Sequence, residues 1–317
     1  MALIRTASEL DVPAITEIYA HYVRHSAATF EIEPPDGTEM RRRHAEVIAR
    51  GLPYLVAEVE SRVAGYAYAG PYRIRPAYRF TLEDSVYVHP DSRTHGLGRM
   101  MLSRVIEMCE AAGYRQMIAV IGDSGNVASI RLHEKLGFRR AGVLQSAGRK
   151  FGRWIDSVLM QRALCSDERV AQLKQIVERG ESRMAILQQV ADVLRQSGNH
   201  RWVGLYDVDY AAEEVRNVVF TGPAAPAFPN FSIYKGLTGV TVRERRTVNI
   251  GDVSANPDYL TALGTTRSEI IVPIFDHSRN AVIGTIDIES DKPQAFSERD
   301  EIFLEDCAEI LRPLWSS

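Results

Sequence analysis

The sequence predicts a two-domain α/β (α+β) chain: a unit with a central mixed sheet over residues 1–164, a helical link over 165–197, and a second α+β unit over 198–317. Three observations carry that expectation. At 317 residues the chain exceeds one typical domain and suffices for two, each with its own core. Apolar residues make up 45% and charged residues 25%, the balance of an ordinary globular protein. The hydrophobic period also switches along the chain between strand-like alternation and helical spacing.

After a short strand at Leu3–Arg5, Asp11 is placed to cap a helix with Pro13 in its first turn and Ile15, Ile18, Tyr19 and Tyr22 on its buried face. Tyr54–Val59 and Val63–Tyr68 flank the polar Glu60, Ser61 and Arg62 and read as a hairpin, and Thr81–Val88 alternates as a further strand. Leu97, Met101, Leu102, Val105, Ile106 and Cys109 then recur at helical spacing, stopped by Gly113. A buried strand at Gln116–Ile121, a helix over Asn126–Leu136 stopped by Gly137, and strands near Ala141–Ser146 and Trp154–Arg162 complete the first unit. Ser166–Ser197 is helical, broken near Gly180. Beyond it come strands at Trp202–Val208 and Val215–Thr221, a proline-bearing loop over Gly222–Asn230, strands at Ile270–Phe275 and Val282–Glu289, and a closing helix capped by Ser297 with Asp300.

Charge and composition exclude several classes of function. A formal net charge of -3 leaves no electrostatic footprint for nucleic acid or an acidic membrane, and the run Arg41, Arg42, Arg43 reads as a solvated helix face. No apolar stretch approaches the roughly 18 residues that span a bilayer, and the first residues lack a signal-peptide pattern. A cytoplasmic location is expected, without membrane or nucleic-acid partners. Cys109, Cys165 and Cys307 form neither a disulfide framework nor a zinc site; Cys109 and Cys307 sit in helical patterns as core fillers, and no metal is expected.

Arg93-Thr94-His95-Gly96-Leu97-Gly98 lies between the strand ending at Val88 and the helix starting near Leu97. Glycines let the backbone wrap an anion, and the free N–H groups of a helix start donate to phosphate oxygens. Taken alone, the hexapeptide also fits an ordinary glycine turn. Read with Thr81–Val88, Ile121–Asn126, Ser129–Phe138 and Gly152–Asp156, however, it resembles the acetyl-CoA motif of the GNAT acetyltransferases, and within them the phosphinothricin and methionine sulfoximine acetyltransferase subfamily. The resemblance covers nearly all of residues 1–164. It implies a GNAT acyl-CoA N-acyltransferase fold, acetyl-CoA as co-substrate, a small amino acid as acceptor, and a homodimer.

Amine acetylation needs a base for the incoming ammonium and a group that protonates the leaving thiolate. The resemblance gives these roles to Glu83 and His133. It gives acetyl-CoA binding to the backbone of Val86, Tyr87 and Val88, to Arg93, Thr94, His95, Gly96, Leu97 and Gly98, and to Asn126 and Ser129. Asn126, Ser129 and His133 also share one helix face by their spacing. Arg73, Arg75 and Arg79 precede the Glu83 strand, and a guanidinium grips a carboxylate with two bonds, which suits an amino-acid acceptor. At least one of the three is expected to be surface charge only. Phe30 matches the aromatic that flanks the acceptor side chain, and Ser85 joins the acceptor contacts.

Arg201–Tyr206, Gly236–Gly239, Ser268–Pro273 and Ile283–Ser290 resemble a GAF domain, more closely the free methionine-(R)-sulfoxide reductases. The positions matching the reductase cysteines hold Phe228, Thr238 and Ala262, so the thiolate chemistry is absent there. A sulfoxide reductase would have to recruit Cys307 or Cys109. The ammonium-gripping carboxylates match Glu269, Asp287 and Glu289, the last in place of an aspartate, and Trp202 matches the aromatic wall. The expectation is a non-catalytic domain that binds a free amino-acid effector such as methionine sulfoxide and regulates the transferase. The alternatives are a packing relic, or a ligand sensor whose transferase serves a protein amine.

Overall fold

A computed structural model describes residues 2–164, 168–198, 200–260 and 263–315, apart from the side chains of residues 93–95, 168 and 255. The chain divides into two compact units, Met1–Cys165 and Ser166–Ser317.

The first unit is built on a seven-stranded sheet in the order β1-β2-β3-β4-β5-β7-β6. The strands are β1 (Leu3–Thr6), β2 (Tyr54–Val59), β3 (Arg62–Pro71), β4 (Thr81–Val88), β5 (Gln116–Gly122), β6 (Arg139–Lys150) and β7 (Arg153–Ala163). Helix α1 (Val12–His25) buries Ile15 and Ile18 as their spacing predicts. Asp11, expected to cap it, does otherwise. A three-residue 3-10 turn leads into α1, so Asp11 is already helical in backbone. Its carboxylate turns back to the Ser8 amide and takes a two-pronged bond from Arg5 at 2.8 Å. Helix α2 (Gly37–Ala49) carries the basic run, and the solvated reading holds for Arg41 and Arg42 but not for the half-buried Arg43. Arg42 and Arg43 both bind Glu39, and Arg43 reaches Glu31 at 2.6 Å.

Helix α3 (Leu97–Ala111) links β4 to β5 as a crossover between parallel strands. It packs Leu97, Met101, Leu102, Val105, Ile106 and Cys109 into the core. The two strands pair only from Thr81–Glu83 to Gln116–Ile118. Beyond that point β4 stays paired with β3 as far as Val88, and β5 with β7 as far as Gly122. The sheet therefore opens between the carboxyl ends of β4 and β5. Helix α4 (Val127–Lys135) follows β5 with Gly137 in the left-handed conformation just beyond it.

The second unit has a six-stranded antiparallel sheet in the order β10-β9-β8-β13-β12-β11. These are β8 (Trp202–Asp209), β9 (Glu214–Thr221), β10 (Asn230–Ser232), β11 (Val248–Ile250), β12 (Ser268–Phe275) and β13 (Val282–Ser290). Helices α5 (Glu168–Glu178), α6 (Arg183–Ser197) and α8 (Glu298–Leu311) cover one face, where Leu173, Ile176, Leu187 and Cys307 share a core with Val203, Ile270 and Ile288. Both helices of the stretch read as a link thus contribute to this core. The expected Ser297–Asp300 capping box opens α8. Helix α7 (Gly236–Glu244) belongs to the other face, packing Leu237 with Val248 and Ile271. Alternation along β12 and β13 puts Glu269, Asp287 and Glu289 on that second face too.

Candidate active site

The opening between β4 and β5 is where the motif residues gather. After β4 a 3-10 turn over Pro90–His95 leads to Gly96, whose φ of +67° is a left-handed conformation that favours glycine. The first helical bond of α3 runs from Met100 N–H to Gly96 C=O, which leaves the amides just before it as free donors. A methyl on Gly98 would lie 3.4–3.8 Å from Leu132 of α4 and from Val86 and Val88 of β4, so this turn sits against the diverging strand. The side chains of Arg93, Thr94 and His95 lie outside the described residues. Asn126 caps α4, its Oδ1 accepting from the Ser129 amide at 3.3 Å.

Glu83 is the last β4 residue paired with β5 and is half-buried. Burial, with the neighbouring Asp84 carboxylate, pushes its carboxyl up to about 7, against a smaller opposite pull from the Arg73 guanidinium. That is the range in which a carboxylate accepts and returns protons at neutral pH. Ser85 stands opposite Tyr68 in the β3–β4 register. Tyr68, expected only as the end of a strand, is half-buried and within electrostatic reach of Glu83, Arg43 and Glu31. It alternates with Tyr54 and Tyr66 in one stacked row, so in sequence it reads as core. The Tyr87 ring joins Tyr19, Tyr22 and Tyr66.

Of the three arginines, Arg73 is close enough to act on Glu83 while resting over Tyr72 at 4.7 Å. Arg79 lies over the Phe80 ring at 4.5 Å, and Arg75 sits in the same exposed stretch, apart from the Glu83 cluster. Phe30 is held from two sides. Gly148 of β6 faces its ring so closely that a methyl there would collide with it, and a methyl on Gly122 would strike the Ala27 carbonyl oxygen. Lys150 Nζ donates to the Ser26 and Thr29 carbonyls at 2.8 Å each, fixing the loop that carries Phe30.

His133 departs from its expected place as a group open to the reaction centre. It is 2% exposed, with Nε2 3.0 Å from Asp84 Oδ2 and Nδ1 2.7 Å from the Ser129 carbonyl oxygen. Both ring nitrogens face acceptors. Burial disfavours the charged ring, but the Asp84 hydrogen bond and charge outweigh it and raise its pKa.

In the second unit a small cavity of about 20 Å³ is lined by Tyr206, Phe228, Phe231, Thr238, Glu269 and Asp287, among others. Phe228 and Thr238 thus line one cavity with two of the three carboxylates, while Ala262 lies outside the described residues. Glu269 Oε2 and Asp287 Oδ1 are buried without a hydrogen-bond partner among the described residues. Burial holds both carboxyls well above the ordinary range, with the Glu289 charge raising each and the Asp287 charge adding to the rise at Glu269. Glu289, fully buried, accepts from the Thr266 hydroxyl. Trp202 is not a wall of this cavity. It is sealed in the core on the same strand face as Tyr206, packed against Gly222 and Gly204, with its indole N–H donating to the Ala224 carbonyl at 3.2 Å.

Residues 4–159 match the acetyltransferase (GNAT) domain model, and residues 182–312 match the GAF domain model. A phosphinothricin N-acetyltransferase of Alcaligenes faecalis is 59% identical over 161 residues, 51% of this chain and 82% of that protein. The chain belongs to the GNAT acetyltransferases. An L-methionine sulfoximine/L-methionine sulfone acetyltransferase of Salmonella typhimurium is 43% identical to this acetyltransferase, over 53% of the chain and 96% of the relative. A solved GNAT superfamily phosphinothricin acetyltransferase from Sinorhizobium meliloti, in complex with acetyl-CoA, is 45% identical, covering 51% of this chain and 88% of that one at a TM-score of 0.50. The relatives thus span the first half of the acetyltransferase, and the GAF domain is its second half. Acetyl-CoA is its co-substrate. The crevice suits that molecule: free amides at a helix start favour phosphate, and an unpaired strand edge offers hydrogen bonds to an extended amide-bearing arm.

Proposed function

We propose that this acetyltransferase acetylates the amino group of a small free amino acid of the methionine sulfoximine, methionine sulfone or phosphinothricin kind, with Glu83 as general base. The observation that carries the reading is Glu83 itself, half-buried at the point where β4 and β5 part and pushed up to about 7. Bound acetyl-CoA supplies the thioester carbonyl. The backbone of Val86–Val88 and of Gly96–Gly98, with Asn126 and Ser129, holds it. Glu83 removes the proton that the acceptor ammonium must lose, Arg73 attracts the acceptor carboxylate, and Phe30 flanks its side chain. The identities of the two relatives over this half support the acceptor class. A cytoplasmic setting and a homodimer complete the reading, the latter checked by sedimentation of the full chain. Thiol release measured with the three trial acceptors is expected to show turnover on at least one. Silence on all three, with acetyl-CoA bound, overturns the acceptor class.

The second half has its own reading: the GAF domain binds a ligand that carries an ammonium group and regulates the transferase. Two buried carboxylate oxygens beside a cavity, without partners among the described residues, favour it, since burying a charge without compensation costs several kcal/mol. Calorimetry of the full chain with methionine sulfoxide as probe is expected to show saturable binding that Glu269→Gln abolishes. Equal heats in both proteins overturn this site.

A further inference from the structure

Asp84 and Glu83 are chain neighbours whose side chains leave β4 on opposite sides. Asp84 is the first β4 residue past the paired segment, and His133 reaches it from the last turn of α4. The two side chains are 2% and 3% exposed. With Nε2 on the Asp84 carboxylate and Nδ1 on the Ser129 carbonyl, the ring serves two acceptors and needs a proton on each nitrogen. The C-terminal end of a helix also favours a cation. A ring so committed has neither a lone pair nor a free N–H for a reacting atom.

We infer that His133 is a positioning residue: as an imidazolium bound to Asp84 it ties α4 to β4 at the mouth of the opening, and it acts on the reaction only through Asp84 and the neighbouring Glu83. The inference rests on Glu83 as the base. The charged groups around the pair are few in kind. Asp84 lies beside Glu83 and within reach of the Cys109 thiol of α3, while Arg73 and Tyr68 face Glu83 from the β3 side. Asp84 raises the Glu83 carboxyl, and His133 offsets part of that charge. Neutralising Asp84 therefore lowers the titration of Glu83, and removing the His133 cation raises it.

Two measurements on the full chain test this. In nitrogen-15 NMR of labelled histidine at pH 8, His133 is expected to show two protonated ring nitrogens; one bare nitrogen overturns the inference whether or not any variant folds. In pH profiles of kcat/KM, Asp84→Asn, which keeps the shape of the carboxyl, is expected to move the acid limb down by about one unit, raising the relative rate at pH 6 about five-fold. His133→Gln, which keeps the reach of Nε2, is expected to move that limb up. A His133→Gln enzyme that loses its alkaline limb and keeps its acid limb identifies a direct proton donor and overturns the inference. Glu83→Gln separates the two readings. If it retains the acid limb, Glu83 is not the base, and the NMR result alone then decides the state of His133.

Discussion

At the proposed site, Glu83 and Gly148 carry the tests that single residues allow. A base titrating near 7 is protonated below that pH, so kcat/KM is expected to fall as pH drops through about 7. Glu83→Gln, assayed by thiol release, should lose about 10²–10⁴ in kcat/KM at pH 8. Gly148 acts by what it lacks. Gly148→Val drives a side chain into the Phe30 ring, and the KM for the acceptor should rise several-fold while that for acetyl-CoA holds. Glu83 was legible only through the family resemblance, since it stands third in an alternating strand beside a second acid, Asp84. Asp84 and Tyr68 were not, because the residues they meet, His133 and Ser85, arrive from other elements. Arg43 misled for the same reason, its partner Glu31 lying 12 positions away on the loop that holds Phe30.

At the scale of elements, the parting of β4 and β5 makes the site, and it depends on close fits around its rim. The end of β5 meets the Ala27 backbone at Gly122, where even one methyl has no room. Gly122→Ala is expected to destabilise the first unit by about 1–3 kcal/mol, read by thermal denaturation. Strands and helices with a clean period were visible in sequence, including β4, α3 and α8. The parting was not, because it is a matter of register between segments. Helix α7 also escaped, since Gly236, Gly239, Val240, Thr241 and Val242 are poor helix formers that packing against β12 overrides. The expected extent of β6, Ala141–Ser146, fell short of Arg139–Lys150. Its exposure on both faces erases alternation, and two register shifts against β7 break it further.

Across the whole molecule, the two units carry separate cores and different electrostatic habits: one raises a single carboxyl at a crevice, the other crowds carboxyls whose Glu269 Oε2 and Asp287 Oδ1 find no hydrogen-bond partner among the described residues. Folding raises the Glu269 carboxyl, so the native chain holds a proton that the unfolded chain releases. Stability from this group is therefore present at low pH and lost as pH rises above the ordinary carboxylate range. Glu269→Gln is expected to melt several degrees above the parent at pH 8, with the gap closing near pH 4. A cationic ligand would bind the ionised carboxyls, so calorimetry in buffers of different ionisation enthalpy should register proton release, and affinity should rise with pH. The carboxylate pocket was half legible: sequence named its acids and the positions of Phe228 and Thr238, but not the burial of Trp202. If the proposed ligand fills that pocket, binding would stabilise the native state and so couple ligand supply to how long the chain escapes proteolysis. Control of this enzyme would then work through its lifetime in the cell, before any change in its turnover.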